Sequence, residues 1–490
     1  MTSTDASRLC SRNAAFTVVA LTVVGAVVRF ATLDQQSFWL DELVTVSLVR
    51  GGFADMLSAI PKNEATPFLY YVLAWPWARL FGLGEIGLRS LSALAGAAVV
   101  PAAYGAGAAL VSRRAGIVAA ALVSVNPILV WYSQEARSYS LLAFLSACAL
   151  LFFGHALRSA SWRSLAGWSV FSSLAIATHY FAVFLVLPEA VWLVSRGRSR
   201  RSALFASLVP TAVLLAHVPL VLVQRGNGEA VSGTPLFSRI AGIPKGLVVG
   251  YSFPAELAGS AAAAALLVVG LALLVTRSSA ELRRRALVPG GLAVVAIAVP
   301  VALALAGADY VIVRNLILAV VPAAVCVATG FAANRLGLAA AGALCALSLA
   351  IGLTASIDDR YGRTDWRGAA ERLASPTVGR AIVVTPYMSR SLWSPYLPGL
   401  REPSGGKTTV REIAVVGLAT EGGFSGGSVR PPGGEPPAPP AGFTLVAAER
   451  TPTFTLFRYR AARPISLSDE TLAGLRLTDL QPGLLVQPGR

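Results

Sequence analysis

Long apolar runs separated by short polar breaks organise the chain from near its start to about residue 355. A membrane-crossing helix needs roughly 20 mostly apolar residues. That ruler predicts about eleven spans, near 14–33, 89–111, 115–132, 139–157, 164–178, 180–195, 203–223, 256–276, 286–307, 314–332 and 336–354. Asn126-Pro127 interrupts the third. Between the first two spans the period changes, because Phe53, Met56, Leu57 and Ile60 fall at i, i+3, i+4 and i+7 and predict an amphipathic helix. The next stretch, "ATPFLYYVLAWPWARLFG" (65–82), is apolar enough to pass for a further span. Its Pro67, Pro76 and dense Tyr and Trp suit a helix lying at the membrane interface instead.

Past residue 355 the pattern turns to alternation. "DWRGAAERLASP" reads as a short helix, "GRAIVVTPY" and "REIAVVGLA" as strands, and "GFTLVAAER" with "TFTLFRYRA" as a hairpin. The low-complexity stretch 421–442 reads as a disordered loop. The expected architecture is a polytopic α-helical membrane domain over 1–355, with interfacial helices in a first external loop 34–88, followed by a small α/β domain over 356–490.

Composition agrees. Of 490 residues 55% are hydrophobic and 13% charged, too little charge to cover a soluble protein of this size. A net charge of +16 would suggest nucleic acid in a soluble chain. Here the basic residues are mostly arginines clustered between spans: Arg113-Arg114, Arg158 with Arg163, 196–201, 277–285 and Arg335. That is the signature of cytoplasmic loops, so no nucleic-acid partner is expected. The same count leaves Asp34, Asp41, Glu42, Asp55, Glu64, Glu85, Glu135, Glu229, Glu256 and Asp309 on the opposite side. Counting 65–82 as a span would export the basic loops. Arg8 and Arg12 before an apolar run resemble a signal peptide, but the run continues to Leu33 without a small-x-small cleavage site. The expectation is an uncleaved first span with a cytoplasmic N-terminus. Four scattered cysteines imply no disulfide framework, and His155, His179 and His217 lack ligand spacing, so no metal or cofactor site is expected.

"SFWLDELVTVSL" (37–48) then stands out, with adjacent carboxylates Asp41 and Glu42 just where the first span leaves the membrane. At the start of a helix the two project about 100° apart. Either one faces a reaction while the other orients it, or both cap an interfacial helix. On the same side "YSQEARSYS" offers Glu135, Arg137 and Tyr139, and Arg89 and Arg314 open later spans. Each arginine alone reads as a snorkelling side chain. Several of them against the charge rule suggest an anionic ligand such as a phosphate headgroup.

Asp41-Glu42 after the first span, "TPFLYYVLAW", "FGLGEIGLRSLSALAG" and "QEARSYSL" in that order resemble the GT-C glycosyltransferases, as do "RNLILAVVP" and "DWRGAA". The likeness is to the branch of protein O-mannosyltransferases, the aminoarabinose transferase of lipid A and rhizobial lipopolysaccharide sugar transferases. It covers roughly 14–355. The resemblance implies a GT-C fold, a polyprenyl-phosphate sugar donor, Asp41 as the catalytic base and Arg89 as a functional arginine. Where relatives often carry His-Pro-Pro or Lys-Pro-Pro, this chain has "EATPFLYY", keeping only Pro67 and losing the basic residue. The implied reaction is a single inverting displacement on the extracytoplasmic face of a bacterial inner membrane. Asp41 would deprotonate the acceptor hydroxyl of a glycan, lipid or protein, with Glu42 beside it. Arg89, Arg137 and Arg314 would receive the phosphate, and Glu135, Tyr139, His179 and Tyr180 would line the substrate pocket.

The rival is a transporter or flippase of lipid-linked sugars. It would need paired charges at mid-span and matching halves. The main internal charge is Glu189, which has no evident basic partner, and no repeat is visible.

Overall fold

The computed structural model describes residues 3–196, 198–227, 234–374, 376–385, 393–403, 406–419, 431–478 and 481–489, with side chains from Asn13 onward. Glu229 and residues 421–430 lie outside these. The chain divides into two compact units: Met1–Leu33 with Val44–Leu353, and Asp34–Leu43 with Thr354–Arg490.

The first unit is helical. Its helices are α1 (Ser3–Phe30), α2 (Leu40–Arg50, whose first turn belongs to the second unit), α3 (Phe53–Asn63), α4 (Leu69–Phe81), α5 (Glu85–Leu110), α6 (Arg113–Val125), α7 (Pro127–Ser133) and α8 (Tyr139–Ser159). They continue through α9 (Trp162–Thr178), α10 (Val183–Arg196), α11 (Arg200–Gln224), α12 (Leu236–Val249), α13 (Glu256–Thr276), α14 (Ala280–Leu305), α15 (Val320–Phe331, led in by the 3-10 segment Val313–Ala319) and α16 (Arg335–Ile357, whose last turn belongs to the second unit). Among the described residues eight helical segments are long and apolar enough to cross a membrane, and the α6–α7 pair, bent by 55°, makes a ninth. The two remaining expected positions are the shorter helices α9, of 17 residues, and α10, of 14. All eleven expected positions are therefore helical. The stretch 65–82 folds as α4, whose 13 residues are too few to span. Helix α12 was not anticipated, because its apolar run is broken by Pro244 and Lys245.

The bend between α6 and α7 explains a buried charge. Pro127 has no N–H to return to the Val123 carbonyl one turn back, and the bend exposes the Ser124 carbonyl as well. Arg29, in the last turn of α1 and fully buried, supplies what is missing. Its Nη1 donates to Ser124 O at 2.7 Å and to Gly25 O at 2.9 Å, Nη2 to Val123 O at 3.2 Å, and Nε to Ser133 Oγ at 3.1 Å. The guanidinium thus caps the C-terminal end of α6, where the helix dipole favours a cation. Nearby, α5 and α6 approach to backbone contact: a Cβ on Gly107 would lie 2.7 Å from the Gly116 Cα. Small residues provide this close packing where no hydrophobic drive exists between helices in lipid.

The second unit is a five-stranded sheet in the order β3-β4-β2-β1-β5, from β1 (Arg380–Thr385), β2 (Lys407–Leu418), β3 (Phe443–Arg450), β4 (Phe454–Ser468) and β5 (Gly483–Gln487), with helices α17 (Trp366–Leu373) and α18 (Asp469–Ala473). β1 and β2 run parallel, and the other pairs are antiparallel, β3–β4 being the expected hairpin. Both faces of the sheet are covered, which is why β1 reads as a continuous apolar run rather than an alternating one. Of the expected loop 421–442, residues 431–442 are extended chain fastened to the hairpin. Thr455 donates to Pro432 O at 2.8 Å, Tyr459 to Pro437 O at 2.7 Å, and Arg450 to Gly434 O.

At the centre of the sheet Glu412, 2% exposed, meets Arg380 at 3.3 Å, Arg458 at 2.9 Å and Arg460 at 2.7 Å. Burial alone would raise its carboxyl, but Arg460, Arg458 and Arg380 outweigh burial and hold it below the ordinary value. A carboxyl lowered on folding stabilises the fold above its unfolded value, and that contribution is lost as pH falls through the folded one. Glu412→Gln is therefore expected to cost roughly 3 kcal/mol at neutral pH, the lower end for breaking a buried pair. It should also flatten the acid limb of unfolding, followed by tryptophan fluorescence and circular dichroism of the full-length protein.

Candidate active site

Asp41 and Glu42 occupy the first turn of α2, where the N-terminal dipole favours both. Their environments differ. Glu42 is fully buried and its Oε2 accepts the Trp39 N–H at 3.3 Å, the return bond of a capping box made by the third helical residue. Asp41 is half-buried. The geometry thus hands the capping role to Glu42.

In the first unit a polar knot forms where α3 ends. Glu64, 2% exposed, receives a two-pronged bond from Arg137, at 2.5 Å (Nη1 to Oε1) and 2.8 Å (Nη2 to Oε2). Arg137 Nη1 also donates to the Tyr71 hydroxyl at 2.9 Å. The Arg137 carbonyl accepts from Ser92 Oγ at 3.2 Å, and Ser92 Oγ lies 3.0 Å from the Tyr70 hydroxyl. Tyr70 and Tyr71 are both fully buried at the start of α4, so the "LYY" of the loop serves this knot. Gln224 and Asn227 hold it from outside: Gln224 Nε2 donates to Ile60 O and Thr66 O, and Asn227 Nδ2 to Glu64 O at 2.8 Å. Tyr180 is engaged there too, donating to Gln224 Oε1 at 2.6 Å.

A second cluster surrounds Tyr139. Its ring centroid is 5.7 Å from that of His179 and 4.8 Å from that of Tyr132, and the Arg314 guanidinium carbon lies 5.6 Å from its centre. Tyr132 and Tyr251 share a hydroxyl–hydroxyl hydrogen bond, and Trp131 meets Tyr251 edge-on at 5.8 Å. His179, in the turn between α9 and α10, accepts the Phe181 N–H on Nδ1 at 3.2 Å. Burial and the charges of Arg314 and Arg137 push its imidazole down to about 3, against a raising hydrogen bond with Asn315. At neutral pH it is an uncharged hydrogen-bonding group, suited to a hydroxyl rather than a phosphate.

Arg314 enters from a segment that is itself tied down. Arg239 of α12 forks onto Asp309 and donates to Val311 O at 2.5 Å, and Asn315 Nδ2 donates to Tyr310 O at 2.9 Å. The hydrogen bond from Arg239 holds Asp309 below its ordinary value.

The structure thus gathers Arg137, Tyr139, His179 and Arg314 in the first unit. Arg89 is 1% exposed on α5 and donates to Leu33 O at 2.8 Å; Glu135 is fully buried in the turn before α8. Glu189 is fully buried and accepts the Trp168 indole N–H at 2.8 Å, with no ion pair among the described residues. Sequence reading passed over Glu64, Tyr70, Tyr71, Tyr251 and Arg29. Only Arg29 carried a clear signal, as an ionisable residue inside an apolar span.

Residues 65–223 match the family model described as dolichyl-phosphate-mannose-protein mannosyltransferase, less than half of the chain. No curated protein matches. Among solved structures the chain is similar to ArnT from Cupriavidus metallidurans in the apo state (18% identity, TM-score 0.47, 64% of this chain and 59% of that one). It is also similar to the archaeal oligosaccharyltransferase AglB from Archaeoglobus fulgidus (14%, TM-score 0.47, 74% and 58%). A third is the arabinofuranosyltransferase AftD from Mycobacteria (16%, TM-score 0.49, 91% and 40%). The chain spans less than two-thirds of the length of each. The family match covers the later part of the loop and the spans from 89 to 223, leaving Asp41-Glu42, "RNLILAVVP" and "DWRGAA" outside it, and it bears out the likeness to the protein O-mannosyltransferase branch of the GT-C glycosyltransferases.

Proposed function

We propose that the chain is an inverting glycosyltransferase, moving a sugar from a polyprenyl-phosphate donor to an acceptor hydroxyl on the extracytoplasmic face of a bacterial inner membrane. The observation that carries this reading is the cluster of Arg137, Tyr139, His179 and Arg314, the first three inside the segment that matches a family described by its dolichyl-phosphate-mannose donor. The orientation rests on the charge asymmetry of the loops.

In this reading the acceptor oxygen attacks the anomeric carbon while the bond from that carbon to the phosphate oxygen breaks. The acceptor proton passes to the Asp41 carboxylate, and polyprenyl phosphate departs with the electron pair. Phosphate leaves without protonation at neutral pH, so one base and a source of positive charge suffice. Arg314 and Arg89 supply that charge. Arg137 enters with Glu64 already on its fork, so a phosphate would have to displace a carboxylate to use it; its nearer role is to brace the loop. Neutral His179, Tyr139 and Glu135 suit the sugar hydroxyls, and Tyr180 supports the loop through Gln224. The acceptor is a glycan, a lipid or a protein.

The test is sugar transfer in proteoliposomes, with a panel of radiolabelled polyprenyl-phosphate sugars and an extract of envelope acceptors. Donor-dependent labelling of an acceptor is the expected result. Movement of intact labelled donor between leaflets without transfer would instead favour a flippase.

A further inference from the structure

We propose that the C-terminal domain positions the catalytic base, because it fixes the segment of chain that presents Asp41. This rests on reading Asp41 as the base.

Residues 34–43 belong to the same compact unit as the C-terminal domain, although they lie in sequence between segments of the helical unit. The packing is specific at nearly every position. Arg367 Nη2 donates to Asp34 O at 2.5 Å and to Gln35 O at 3.3 Å. The Gln36 side chain accepts the Arg363 N–H at 3.2 Å and donates to Ala355 O at 3.1 Å. Ser37 Oγ accepts the Arg367 N–H at 2.9 Å and donates to Asp365 Oδ1 at 3.3 Å, while the same Asp365 caps α17 through the Gly368 N–H at 2.8 Å. The Phe38 N–H donates to the Tyr396 hydroxyl at 2.7 Å. Leu40 and Leu43, on either side of the acid pair, pack against the apolar core that includes Trp366, Trp393 and Leu397.

Such an arrangement does more than cover a loop. The Phe38 hydrogen bond falls three residues before Asp41, and the apolar anchor Leu40 is its immediate neighbour. The backbone that leads into α2 and carries Asp41 is thus held by "DWRGAA" and by Tyr396. A general base must sit within hydrogen-bond reach of the proton it takes, and a misplacement of about 1 Å can cost on the order of 100-fold. Tyr396, Asp365 and Arg367 are positioning residues in this account. They touch no substrate and act through the backbone that carries Asp41.

Tyr396→Phe tests this, since it keeps the ring and removes the hydroxyl that accepts the Phe38 N–H. Hydrogen–deuterium exchange on full-length protein in detergent should show at least tenfold faster exchange in peptides covering 34–44, with β1, β2 and β4 unchanged. In the transfer assay kcat should fall about tenfold while the donor KM stays within twofold. Ser37→Ala should reproduce both effects. Unchanged exchange at 34–44 would overturn the anchoring. Faster exchange with an unchanged kcat would overturn its catalytic meaning. A wild type inactive on every donor, with the exchange difference intact, overturns the glycosyltransferase reading and its base while leaving the anchor itself established.

Discussion

Asp41→Asn is expected to lower kcat for sugar transfer by about 100- to 10,000-fold, the span attributed to a positioned general base, while donor binding is retained. The substitution preserves volume and leaves the N-terminus of α2 with its capping Glu42. What is lost is the acceptor of the proton that the attacking hydroxyl must shed. Separate measurement of donor binding and single-turnover transfer gives the split. Glu42→Gln provides the contrast. Glu42 is buried and bonded to the Trp39 N–H, so its loss should loosen the helix start and lower melting temperature as well as rate. Equal turnover by wild type and Asp41→Asn would move the base elsewhere and reduce "WLDE" to a helix start.

Breaking the Arg137–Glu64 pair is expected to destabilise the helical unit by roughly 3–5 kcal/mol in either single variant, because each strands a buried charge. Glu64→Gln leaves a buried guanidinium beside the Tyr71 hydroxyl without its carboxylate, and Arg137→Met leaves a carboxylate in the same dry place. The double variant should recover part of the loss, giving a coupling measurable by a double-mutant cycle of melting temperatures. Added donor should shift the melting of Glu64→Gln by no more than it shifts the wild type, as befits an arginine that braces the loop. A larger donor-induced shift in Glu64→Gln would show the opposite: that Arg137 is a phosphate ligand which Glu64 covers in the empty protein.

Most of the architecture was legible because its causes are local. Apolar run length alone predicts the spans, since hydrocarbon forbids unpaired backbone and charge over about 30 Å. Short apolar runs bounded by turn residues predict β1 and β2, and alternation predicts the β3–β4 hairpin. The acid pair was legible as candidate chemistry for the same reason, being charge set where charge is costly. The division between a capping and a half-buried acid follows from position in the first helical turn, which sequence can pose but not decide.

What tertiary structure alone decided are the partners. Glu64 and Arg137 are far apart in sequence, as are Arg29 and the carbonyls beside Pro127, and no local pattern links a broken helix to the arginine that caps it. Arg137 reads as a candidate phosphate ligand because its charge is visible in the sequence, whereas its pairing with Glu64 is not. The stretch 34–43 reads in sequence as the beginning of a membrane loop, yet it packs with a domain more than 300 residues later (Gln36 with Ala355, 319 residues apart). The sequence by itself determined which segments must be helices in lipid and which residues carry charge there, because those follow from composition and period. Which charge answers which, and which domain holds Asp41, depends on long-range packing that only the folded chain expresses.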